Sequence, residues 1–185
     1  MASASCSAQT LVIGLYDYSD LSTKETLRLT EAADQAFTHS GMHLVWRYCR
    51  GALAAVPATK CESEMQVNEI VVSIRAGSLR SSHDVRMGNT VVTAEGGYYA
   101  SVFVPSVRAQ AAGFGIAFDL LMGYAVAHEV GHCLLGPGHS YAGLMRGLWD
   151  RNDASEMSRF NLHLTKDEAR KAVARLTLAE RAAHR

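Results

Sequence analysis

The sequence predicts a single domain of the α/β (α+β) class. It should hold a twisted mixed sheet with one backing helix and one buried helix bearing histidines, and a small C-terminal part ending in a helix. Three observations predict this. Short strand-like runs and a capped helix share the first hundred residues; an apolar stretch without proline leads into His128-Glu129-Val130-Gly131-His132; and a second capped helix closes the chain.

Residues 11–16 are an apolar run ending in Asp17, which reads as a buried strand. Ser22-Thr23-Lys24-Glu25 is a capping box, and Leu29, Ala33, Ala36 and Phe37 recur at helical spacing until Gly41, where the helix should stop. Residues 44–48 and 67–74 read as two further strands. Residues 98–104, before Pro105, form another, and residues 91–93 would pair with it across Gly96-Gly97. One of that pair should be the sheet edge, either open for an extended peptide to add as a strand or covered as in an ordinary hairpin. Ala112-Gly113-Phe114-Gly115 lacks the spacing and the lysine of a phosphate loop and reads as a flexible joint. Residues 118–127 are rich in helix formers, and the helix they begin is apolar nearly all round, as a buried helix is. Thr165-Lys166-Asp167-Glu168 is a second capping box, and Ala169, Val173, Leu176 and Ala179 mark the last helix.

With 185 residues, 48% of them hydrophobic, the chain can bury a sizeable core without metal or disulfide support. Its eighteen basic and eighteen acidic residues cancel, so charge favours neither nucleic acid nor an anionic membrane as a partner. No apolar run approaches the length of a membrane span. The small-residue run at residues 1–9 fits either a disordered arm or the tail of a secretory signal whose front is missing. A secreted or periplasmic protein is the expectation, with the cytoplasm as the alternative. In an exported protein Cys49 and Cys61 would be bridged across a loop containing Gly51 and Pro57. Cys133 is rotated away from the histidines and reads as core; Cys6 is unassigned.

The chemistry is concentrated between His128 and Trp149. His128 and His132 stand one turn apart on one helix face, so both rings can reach one ion, and Glu129 sits where a general base is wanted. Two buried imidazoles and a buried carboxylate need partners, and a metal supplies them. Gly136 and Pro137 then end the helix and turn the chain, which lets His139 approach the same ion. Met145 follows in Gly143-Leu144-Met145.

These residues resemble the metzincin zinc endopeptidases, whose signature is H-E-x-x-H-x-x-G-x-x-H followed by a turn containing methionine. Here three residues, not two, separate His132 from Gly136. The stretch is similar to a group of short bacterial metzincin-like proteins carrying H-E-x-G-H-x-L-L-G, a later His-Ser and Gly-x-Met. The resemblance covers residues 125–149 in detail and the rest only in the order of elements. It implies a metzincin-like zincin fold, with an upper subdomain at residues 10–139 and a lower one at 140–185. It also implies one catalytic zinc on His128, His132 and His139, and Met145 in the turn beneath it.

Zinc on three neutral imidazoles keeps a fourth position for water and lowers the pKa of that water, while Glu129 serves as general base for peptide hydrolysis. The expected partner is a peptide or protein substrate, and the expected state a monomer. Tyr124 and Tyr141 are candidates for oxyanion support or ordinary packed aromatics. Arg146, Leu148 and Trp149 stand where metzincins build a specificity wall, and Arg146 would select an acidic side chain only if it points inward. Glu156 is a rival third ligand, placed as in gluzincins. Two further classes remain: a catalytically inactive zinc-binding recognition module, and a zinc hydrolase of a non-peptide amide.

Overall fold

The computed structural model describes residues 8–54, 61, 64–77, 86–93 and 96–183. Its sheet contains β1 (Gln9–Tyr18), β2 (Met42–Arg50), β3 (Glu69–Arg75), β4 (Gly88–Thr93) and β5 (Gly96–Phe103), in the spatial order β2-β1-β3-β5-β4. The first four of that order run parallel and β4 pairs antiparallel with β5 at the edge. Five helices accompany it among the described residues: α1 (Thr23–Phe37), α2 (Val104–Phe114), α3 (Phe118–Leu135), α4 (Arg151–Ser158) and α5 (Lys166–Ala183). The architecture is therefore mixed α/β with a mostly parallel five-stranded sheet.

Alternation along the strands sets the core. Leu11, Ile13 and Leu15 of β1, Ile70, Val72 and Ile74 of β3, and Ala100 and Val102 of β5 are all buried, as residues two apart on one sheet face should be. Helix α3 packs against that core, touching α1, β5, β4 and α5. Gly123 sets the depth of its contact with α1: a Cβ there would stand 2.3 Å from the Leu29 carbonyl oxygen and 2.5 Å from the Ala32 Cβ. No larger residue allows the two helices this approach. Leu121, Met122, Tyr124, Val126, Ala127 and Val130 are wholly buried, so nearly the full circumference of α3 is enclosed.

Both capping boxes form. The Ser22 hydroxyl accepts from Glu25 N–H at 3.3 Å, and Glu25 Oε2 accepts from Ser22 N–H at 2.9 Å. Helix α1 nevertheless ends at Phe37, four residues before Gly41, because Thr38 turns extended (ψ 137°) and His39 takes a positive φ of 71°. At the other end of the chain, Glu168 Oε2 accepts from Thr165 N–H at 2.7 Å.

Two helices depart from the sequence reading. The strand expected to reach residue 104 stops at Phe103, and Pro105 opens α2 instead of following a loop; proline suits a first helical turn, where its missing N–H is not needed. The expected flexible joint is the end of α2, capped by Gly115 in the left-handed region (φ 73°). Helix α4 is capped by Asp150, with Asp153 completing the box.

Cys49 and Cys61 are bridged, with Cα atoms 5.6 Å apart. Cys133 is free and buried at 2% exposure, while Cys6 lies outside the described residues. Among the described residues no single helix is long and apolar enough to cross a membrane.

Candidate metal centre

Helix α3 carries His128, Glu129 and His132 to the floor of a cleft of about 390 Å³, walled on one side by β4 and on the other by residues 146–149. The helix ends at Gly136, whose φ of 90° is open to glycine at no steric cost, and Pro137 prevents continuation. The chain doubles back, and His139 comes to the same point from outside the helix. One nitrogen from each of His128, His132 and His139 lies within 4.8 Å of the others.

The two helical histidines are oriented by backbone carbonyls. His128 Nδ1 lies 2.8 Å from the Leu144 oxygen, and His132 Nδ1 lies 3.2 Å from the Gly136 oxygen. A carbonyl can only accept, so each Nδ1 must hold the ring proton, and in a neutral ring Nε2 then offers only a lone pair. Yet the two Nε2 atoms stand 3.1 Å apart. Two lone pairs at that distance repel, and protonating one ring is opposed by burial, which pushes His128 down to about 4 and also lowers His132. A shared cation resolves the conflict, so the donor set fits a metal ion.

His139 is held differently. It is exposed, its ring stacks on His128 with centroids 5.4 Å apart, and the Gly147 backbone passes beneath it, where a Cβ would meet the ring at 2.9 Å. Its neighbour Ser140 donates its N–H to the Met145 carbonyl at 2.8 Å and its hydroxyl to Glu168. Met145 is buried, and its thioether occupies the notch left by Gly131, where a Cβ would fall 2.3 Å from the sulfur. Trp149 closes the other side, edge-on to His128 at 5.3 Å.

Glu129 is buried at 7% exposure and takes a 2.7 Å hydrogen bond on Oε2 from the Thr90 hydroxyl. Burial pushes its carboxyl up to about 7, against the Thr90 bond and the charge of Arg86, which pull it down.

Other residues singled out from sequence fall elsewhere. Glu156 lies on α4, paired with Arg159 and outside the histidine group. Tyr124 is wholly buried in the core, where desolvation pushes its hydroxyl up to about 12, and Tyr141 is fully exposed; neither lines the cleft. Arg146 lines the cleft, but its Nη1 lies 2.9 Å from Asp150 and 2.6 Å from Asp153, so both carboxylates of the α4 capping box take its charge. Gly88 and Thr90, which flank Glu129, escaped sequence reading: they lie about forty residues upstream, and nothing local marks β4 as the strand that covers α3.

No family model and no curated protein matches the chain.

Proposed function

We propose that this protein is a zinc-dependent endopeptidase of metzincin-like zincin fold, with His128, His132 and His139 as ligands and Glu129 as general base. The observation that carries the reading is the pair of facing Nε2 lone pairs at 3.1 Å, completed by His139 and bordered by a buried carboxylate. When bound, zinc supplies Lewis-acid polarisation of a peptide carbonyl and acidifies water.

The chain's own groups do the rest. As a water oxygen bonds to the carbonyl carbon, Glu129 takes the proton that water loses; it then hands the proton to the amine nitrogen as the C–N bond breaks. Burial raises that carboxyl in the metal-free protein, which favours holding a proton, and a cation on the histidines would act the other way. Edge strand β4 lines the cleft with Gly88, Asn89 and Thr90, and an extended peptide can lie along such an edge. Arg146 lines the cleft with its Nη1 clasped by two aspartates, which offsets the charge it would present to an acidic side chain.

The test is turnover of a mixed peptide library by zinc-loaded protein, with and without chelator, beside Glu129→Gln at equal zinc content and matched thermal melting. Chelator-sensitive cleavage that falls about a hundredfold or more in the variant supports the reading. Equal rates in parent and variant would remove Glu129 from its role. Absence of cleavage by the parent would leave a zinc-binding recognition module or an amidase of other specificity.

A further inference from the structure

On the hydrolase reading above, we propose that Thr90 is a positioning residue for Glu129: one hydroxyl on the edge strand fixes the carboxylate so that Oε1 alone serves the reacting water. A glutamate has three side-chain torsions, and a general base that wanders among them loses rate even when its basicity is right. Something must select one rotamer. The Thr90 Oγ1 lies 2.7 Å from Glu129 Oε2 and 3.0 Å from the Glu129 carbonyl oxygen. It has a single proton to give, and an ionised carboxylate is the stronger acceptor, so the bond to Oε2 dominates while Glu129 is charged.

The donor is itself stiff. Threonine is β-branched and sits within β4, where backbone pairing to β5 and a restricted χ1 fix the direction of its hydroxyl. Two residues earlier on the same strand face, Gly88 supplies the room: a Cβ there would stand 2.7 Å from both Cγ and Oε1 of Glu129. Space from Gly88 and a donor from Thr90 together form a slot for one carboxylate. The Thr90 bond engages Oε2, and Glu129 lines the cleft, so on this proposal Oε1 is the oxygen left to serve the reacting water.

The experiment compares parent, Thr90→Val and Thr90→Ser at equal zinc content. Valine keeps the branched shape and removes the donor; serine restores the donor without the methyl. Thr90→Val should lower kcat about tenfold or more with KM little changed, and Thr90→Ser should recover most of it. Carboxyl carbon-13 NMR gives a readout independent of turnover, with the Glu129 resonance assigned by its loss in Glu129→Gln. That resonance should move in Thr90→Val and hold in Thr90→Ser. An unshifted resonance with unchanged kcat in Thr90→Val overturns the proposal, even if melting drops, because a merely structural clasp predicts that pattern. If the parent cleaves no peptide, the peptidase reading fails, and the resonance still decides whether Thr90 orients Glu129.

Discussion

His128 and His132 reach the centre from a buried helix, whereas His139 reaches it from an exposed segment after the helix has ended. The helical pair is aligned by the spacing of one turn, by enclosure in the core and by two backbone carbonyls. His139, the third ligand on the proposed reading, depends on a chain of separate contacts: Gly147 beneath its ring, Ser140 tied to Met145, and Ser140 tied again to Glu168 on α5. One part of the site is built into the fold and the other is assembled across it. Perturbations should therefore act differently on the two.

Replacing a ligand gives the largest effect. His128→Ala or His132→Ala should abolish stoichiometric zinc binding, and His139→Ala should leave at most weak binding through the helical pair, read by bound metal after dialysis. Full zinc in His139→Ala together with loss in Glu156→Ala would reverse the assignment of the third ligand.

Glu168→Gln sharpens the comparison, since one carboxylate oxygen holds Ser140 of the assembled half while the other caps α5. Loss of a group that hydrogen-bonds a ligand directly commonly costs about ten- to a hundredfold in metal affinity, and Glu168 acts one residue removed, through Ser140, so the lower end of that range is expected. The variant should weaken zinc binding within that range, and adding it to His139→Ala should cost little more. A full additional loss in the double variant would mean that Glu168 supports the helical pair as well.

Gly131→Ala attacks the built-in half. The added methyl collides with the Met145 thioether at 2.3 Å, and overpacking of this kind costs about 1–3 kcal/mol, measurable by denaturant titration. Methionine is flexible enough to yield, so Met145→Ala in the same protein should restore part of the loss. No recovery would place the collision elsewhere.

The smallest effect is in the pH dependence of the metal-free protein. His128 falls from 6.5 to about 4 on folding, so its contribution is complete above 6.5 and is lost as pH falls towards 4, on the order of 3 kcal/mol. Lowering of His132 acts in the same direction. Glu129 rises from 4.5 to about 7, and its contribution is present below 4.5 and lost as pH rises through 7. Between 4.5 and 6.5 the Glu129 slope offsets that of His128, so the metal-free parent should gain stability with pH only by the part that His132 adds. Glu129→Gln removes the offset, and its stability should climb more steeply with pH across the same window. Parallel curves for the two proteins would show that Glu129 does not titrate as described.

What the sequence made legible follows the same division. His128, Glu129 and His132 lie on one helix whose pattern and end signals are local, so the built-in half was readable from spacing alone. The strands were readable one by one, β1 from its apolar run, and the pairing of β4 with β5 was expected across Gly96-Gly97, but nothing local says that β5 lies parallel beside β3. Helix α4 is eight residues long, too short for periodicity to mark it, and the proline at residue 105 read as a strand stop because a helix first turn uses the same residue. The Thr90 contact spans 39 residues, and the side to which Arg146 turns depends on Asp150 and Asp153. Both are decided by packing between elements, which a residue pattern does not record.

Glu168 has two duties: Oε2 caps the first turn of α5 and Oε1 holds Ser140 beside His139. One carboxylate therefore both starts the last helix and fastens the segment that carries His139, so fraying of the first turn of α5 would loosen His139 while His128 and His132 keep the places that α3 gives them.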